Sequence, residues 1–160
     1  MPASELDLSK VCPDFPEFTR YGIPLELVSA ELLVVLQRLR GLSGAPIIPS
    51  PDPRGWARLD GPATSRHYAV GRLSDAGDVF PARSWLREVW ACAMDIREVG
   101  GLGVYACTRG PDGASWPMLH LDLRPRYGEP RVLWARDVRG AYWYRSSSPR
   151  EFWRVFSMLE

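Results

Sequence analysis

Two histidines and a few aspartates are the residues of this chain whose types and spacing could do metal chemistry. His67 lies in TSRHY and His120 in MLHLDLR. On an extended strand residues two apart share a face, so Met118, His120, Asp122 and Arg124 point one way and Leu119, Leu121 and Leu123 the other. His120 and Asp122 then stand about 7 Å apart on one face, with an apolar face behind them suited to a core. Asp78 follows the turn-like GRLSDAG and directly precedes Val79-Phe80. A carboxylate at the start of a buried strand is costly unless it is paired or binds metal. Neutral imidazole and carboxylate together suit zinc, and three protein ligands leave a fourth position open, as catalytic zinc sites do. The same residues also permit a plainer arrangement, a strand histidine hydrogen-bonded to a neighbouring aspartate.

The elements that must position these residues can be read from periodicity and punctuation. Residues 1–24 are rich in proline and polar residues and read as an irregular lead-in. Ser29 reads as a helix N-cap, followed by Leu32, Val35, Leu36 and Leu39 at helical spacing, with Gly41 and Gly44 as the stop. Pro46-Ile47-Ile48 is a short buried strand. Six Pro or Gly residues between 49 and 66 mark a loop of tight turns, from which His67 emerges. Asp78 to Phe80 is a strand, and Ser84 caps a second helix carrying Leu86, Val89, Trp90, Ala93 and Ile96, stopped by Gly100-Gly101. Leu102 to Cys107, residues 117–124, Arg131 to Ala135 and Ala141 to Tyr144 are further strands. Pro149, at the first position of a last helix, is followed by Phe152, Phe156 and Leu159 on its inward face. The order predicts an α+β domain spanning 1–160, a small, mostly antiparallel sheet packed by helices.

Composition narrows the function classes. The 160 residues are enough for one domain with a real core. A net charge of +1 and scattered arginines argue against a nucleic-acid partner. No stretch approaches the roughly 18 apolar residues of a membrane span. The three cysteines, Cys12, Cys92 and Cys107, match no zinc-knuckle or CxxC spacing and read as free thiols of a reducing compartment. The opening MPASELDLSK lacks the basic and apolar regions of a signal peptide, so synthesis in the cytoplasm is expected. Seven tryptophans are many for this length, enough for the core and for the lining of a groove.

Over roughly residues 29 to 135 the sequence resembles the zinc D-Ala-D-Ala carboxypeptidase family, and within it the branch of peptidase-like proteins and phage endolysins that ends in an HxD motif. AELLVVLQRLRGLSGAPIIPS resembles the family's first helix and strand, TSRHYAVGRLSDAGDVF its SxHxxGxAxD pattern, and GLGVYACTRG with SWPMLHLDLR its glycine–tyrosine strand and closing His-x-Asp strand. The resemblance implies the α+β fold shared with the Hedgehog signalling domain. It implies Zn2+ on His67, on Asp78 or Asp75, and on His120. The family spacing places the aspartate seven residues after the first histidine; here Asp75 falls at eight and Asp78 at eleven. Asp78 keeps the local context before a hydrophobic strand and is preferred, with Asp75 as the alternative.

The resemblance further implies hydrolysis of peptidoglycan stem or cross-bridge peptides. Asp122 would be the general base or the partner that orients His120, and Arg54, in SPDPRGW, would stabilise the oxyanion. Ser65 and Arg66 would support the pocket or bind a substrate carboxylate, and Tyr105 and Trp116 would wall the groove. Many family members carry a carboxylate three residues before the last histidine, where this chain has Pro117. That departure favours an alternative, a structural or assembly component of a phage particle, in contact with other virion proteins, that keeps the fold without turnover. A third alternative is a cell-wall or glycan-binding module using the tryptophans. Access to the wall would come through a phage holin or on the virion.

Overall fold

The computed structural model describes residues 1–82, 85–125 and 127–159. Among them six strands form one sheet, β1 (Ile47–Pro49), β2 (Ala76–Pro81), β3 (Gly101–Arg109), β4 (Ser115–Asp122), β5 (Val132–Arg136) and β6 (Tyr142–Tyr144), in the order β1-β2-β4-β3-β5-β6. All neighbours are antiparallel except β3 and β5, which are parallel. Five helices accompany it: α1 (Leu8–Val11), α2 (Glu17–Arg20), α3 (Ala30–Ser43), α4 (Leu86–Asp95) and α5 (Pro149–Ser157). The fold is α+β with a mostly antiparallel sheet, as expected. None of the described helices is long and apolar enough to cross a membrane.

Side-chain alternation divides the sheet into two faces. Val79, Leu119, Leu121, Leu102, Val104, Leu133 and Ala135 point to one side and are buried there with Leu32, Leu36 and Leu39 of α3, Val89 and Ala93 of α4, and Phe152 and Val155 of α5. Each such Leu or Val contributes about 1.5–3 kcal/mol by leaving water. The opposite face carries three rungs of paired residues. Ala76, Asp122, Gly101 and Val132 make the first, Asp78, His120, Gly103, Trp134 and Tyr144 the second, and Phe80, Tyr105, Met118, Arg136 and Tyr142 lie at the next level.

Several boundaries differ from the sequence reading, each for a physical reason. The lead-in is not irregular: it folds into α1, α2 and a 3-10 turn at Ala3–Glu5. Ala3, Cys12, Phe15, Phe18 and Ile23 join the main core, which gives this proline-rich stretch an apolar surface to order against. α3 passes through Gly41 and ends at Gly44, whose φ of 61° makes the left-handed cap with its N–H on the Arg40 carbonyl. α4 ends at Asp95, before the glycines. The Arg131 guanidinium satisfies the carbonyls of Met94, Ile96 and Val99 at 2.6–2.8 Å, so the chain leaves the helix without a glycine stop. Gly101 instead opens β3. Ser84, expected to cap α4, lies outside the described residues. Ser29 precedes α3 in extended conformation but makes no side-chain cap bond.

Candidate metal centre

Asp78 and His120 face each other directly across β2 and β4, a pairing set by register. Asp78 is the third residue of β2 rather than its first, because the ladder with β4 already begins at Ala76 opposite Asp122. His67 arrives from the long loop between β1 and β2, and that loop is pinned at many points. Trp56 is wholly buried and donates its indole N–H to the Ser50 carbonyl at 2.8 Å. Arg58 N donates to the His67 carbonyl at 2.7 Å, and Ala69 N to the Arg58 carbonyl at 2.8 Å. The buried Ser74 hydroxyl donates to the Trp56 carbonyl and lies 3.2 Å from that of Arg66, and the Arg72 guanidinium spans those of Ser65 and Tyr68. A loop held this way can present one side chain as firmly as a strand does.

The result is a group of three ligand atoms. His120 Nδ1 lies 2.9 Å from Asp78 Oδ1 and 3.0 Å from His67 Nε2, and His67 Nε2 lies 3.4 Å from Asp78 Oδ1. Both histidines are buried and Asp78 is nearly so. Donor atoms of a tetrahedral ion with bonds of about 2.0–2.1 Å sit ~3.3 Å apart. The three observed separations bracket that value, so the group could hold a metal ion.

Behind this group a polar chain sets the imidazole. His120 Nε2 lies 3.2 Å from Asp122 Oδ2, and Asp122 Oδ1 accepts from Arg124 Nε at 2.8 Å and Arg124 N at 3.1 Å. Arg124 Nη2 reaches Asp122 Oδ2 at 2.5 Å. Asp122 is completely buried and both its oxygens are occupied. Burial would raise the Asp122 carboxyl, but Arg124 and His120 outweigh it and hold it well below the carboxylate range. Burial likewise opposes ionisation of Asp78, and the two histidines reverse it. Burial works to lower His120, while its hydrogen bonds to Asp122 and Asp78 raise it to about 9. His67 Nδ1 is buried without a hydrogen-bond partner.

The other residues singled out from sequence take distinct places. Asp75 lies outside the group of three and is held by Arg66, Nε to Oδ1 at 2.8 Å with a second contact through Nη2. Arg54 lines the same cavity as Asp78, of about 670 Å3, and its guanidinium pairs with Asp60 at 3.1 Å. Ser65, Arg66, His67 and His120 line a second cavity of about 400 Å3; Arg58 and Tyr105 border both, so the cavities adjoin, with Asp78 on one and the two histidines on the other. Trp116 packs on Phe80 and donates to Asp112. Pro117 is buried on β4.

Sequence reading missed Trp134 and the reason for the glycines of β3. The Trp134 ring lies 5.0 Å from that of His120. A Cβ on Gly103 would sit 2.1 Å from the Trp134 indole, and one on Gly101 would sit 2.4 Å from the Asp122 carboxylate. The signal was available: two glycines at alternate strand positions mark a face where something approaches the backbone closely. The chain matches no family model, no curated protein and no solved structure at a significant level.

Proposed function

We propose that the protein is a zinc-dependent peptidase acting on peptidoglycan stem or cross-bridge peptides, of the D,D-carboxypeptidase or endolysin type. The observation that carries this reading is the meeting of His67, Asp78 and His120 on a groove, with a tetrahedral ligand spacing and a buried carboxylate behind one histidine. The sequence resemblance to the zinc D-Ala-D-Ala carboxypeptidases supplies the substrate class.

Zinc held by His67 Nε2, Asp78 Oδ1 and His120 Nδ1 would supply Lewis acidity to a peptide carbonyl. The protein's own groups do the rest. Asp122 accepts from His120 Nε2–H and so keeps the Nδ1 lone pair directed at the site; with both oxygens engaged, it orients rather than takes a proton. Tyr105 borders both cavities, and burial together with nearby Asp78 and Tyr142 raises its phenol well above the ordinary value. It therefore keeps its proton at neutral pH and can donate to a carbonyl oxygen or a departing amine. Arg54, at the rim, adds positive charge where an oxyanion develops. The chain would be made in the cytoplasm and reach the wall through a holin or on a virion.

The test is metal content with product analysis. Protein purified under zinc-replete conditions should carry about one zinc per chain, lose it in His67→Ala and His120→Ala, and release new amine ends from purified peptidoglycan. Metal-free wild-type protein would overturn the reading. The full occupation of Asp122 and the proline at position 117 favour a second reading, a virion component that keeps the site without turnover. Zinc bound with no amine ends released identifies that case.

A further inference from the structure

Six arginines line the two cavities around the metal group, and they fall into two kinds. Arg54 is paired with Asp60, Arg66 with Asp75 and Arg124 with Asp122. Arg58, Arg136 and the exposed Arg109 at the end of β3 have no ion-pair partner among the described residues. Arg58 Nη2 donates to the Ser65 hydroxyl at 2.5 Å. The Arg136 guanidinium lies 5.7 Å from the ring centres of both Tyr105 and Tyr142, whose planes are perpendicular to each other. The Nε atoms of both arginines are shut from solvent and lack an acceptor. Both residues line the cavity of about 670 Å3 that contains Asp78.

We propose that Arg58 and Arg136 form a carboxylate-binding subsite, one level along the sheet from the metal group, that reads an acidic group of the bound peptide. The peptide nature of the ligand rests on the peptidase reading above; its carboxylate rests on the two arginines. A guanidinium packed between aromatic rings is fixed in orientation before anything binds, and it loses less hydration than an ammonium would. Its planar fork matches a carboxylate, which accepts end-on from the terminal nitrogens of the guanidinium.

Register gives the distance. Arg136 follows Trp134 by two residues on the same face, and Trp134 shares its rung with Asp78 and His120. Arg136 is therefore displaced about 7 Å along the strands from the metal group, while Arg58 reaches the same cavity from the loop that bears His67. An extended peptide advances about 3.3–3.6 Å per residue. A carboxylate at Arg136 thus belongs to a unit roughly two residues from the bond at the metal group, not to the residue adjoining it. Within a stem peptide, the free α-carboxylate of a γ-linked D-glutamyl unit has this character.

The experiment compares two synthetic stem pentapeptides, one with the α-carboxylate of the γ-D-glutamyl unit free and one with it amidated. Calorimetric titration of the full chain is done with chelator present, so that nothing is cleaved. The free acid should bind wild-type protein about 10-fold tighter than the amide. Arg136→Gln and Arg58→Gln should each pull that ratio toward one, and Arg136→Lys should restore part of it. Equal binding of the two peptides to wild-type protein, no binding of either, or a ratio unchanged in both glutamine variants would overturn the subsite; the wild-type comparison needs no variant to fold. Zinc content of the same preparations is read separately. A carboxylate preference in protein that takes up no zinc keeps the subsite and removes the peptidase reading.

Discussion

Asp122 sits behind His120, with Oδ2 3.2 Å from Nε2, and this relationship decides which imidazole nitrogen faces Asp78 and His67. With the proton held on Nε2, the Nδ1 lone pair is the one available to a cation. Asp122→Asn keeps the shape but removes the charge that fixes this tautomer. Zinc affinity is expected to fall about 10–100-fold, as measured by competition with a chromogenic chelator. Breaking the buried pair with Arg124 should also destabilise the fold, by on the order of 3 kcal/mol. Wild-type affinity in a folded Asp122→Asn protein would show that the histidine is oriented by something else.

Metal-free protein should have a stability that depends on pH with a definite sign. Against burial, the hydrogen bonds of His120 to Asp122 and Asp78 raise it from 6.5 to about 9. A raised histidine contributes stability in full below its unfolded value and loses it as pH climbs to the folded one. Asp78 and Asp122 are depressed below 3.8, so their contribution is present above that value and disappears in strong acid. Stability should thus be level between these two limits and fall from pH 6.5 toward pH 9. Denaturant titrations in chelator at several pH values measure it; a flat profile over the upper range counts against the charged His120. Zinc affinity should run the other way, rising with pH, because the ion must displace the Nδ1 proton.

His120 and Asp122 were legible because strand alternation is a local property: Leu119 and Leu121 had to face the core, so the residues between them had to face away. The helix from Ala30 and the individual strands were legible for the same reason, each carrying its own period. The contribution of residues 1–24 to the core was not, because Phe18 sits in a single-turn helix and Phe15 in the link before it, segments too short to show a period. Nor could the sequence separate Asp75 from Asp78. Their difference lies in register with β4 and in the reach of Arg66, both non-local.

Gly103 offers a test of the sheet's second rung. Its absent side chain leaves the space in which the Trp134 indole lies beside His120. Gly103→Ala puts a methyl 2.1 Å from that ring, so the indole must move or the strands must part. A loss of about 1–3 kcal/mol in denaturant stability is expected from the overpacking, together with weaker zinc binding. Unchanged values for both would mean that the ring shifts freely and does not hold His120.

The two aspartates can be told apart by comparing isosteric variants. Asp78 contributes Oδ1 to the group that could hold a metal ion, whereas the Asp75 carboxylate is spent on Arg66. Asp78→Asn should abolish stoichiometric zinc. In Asp75→Asn the zinc should stay, and the protein should lose stability because Arg66, only 22% exposed, is left without its partner. Arg66→Ala and the double variant complete a cycle. A coupling on the order of 1 kcal/mol between Arg66 and Asp75 is expected from two groups in direct contact, with a smaller one between Arg66 and Asp78. Zinc lost from Asp75→Asn and kept in Asp78→Asn would move the third ligand to Asp75 and require the loop that bears Arg66 to rearrange when metal binds.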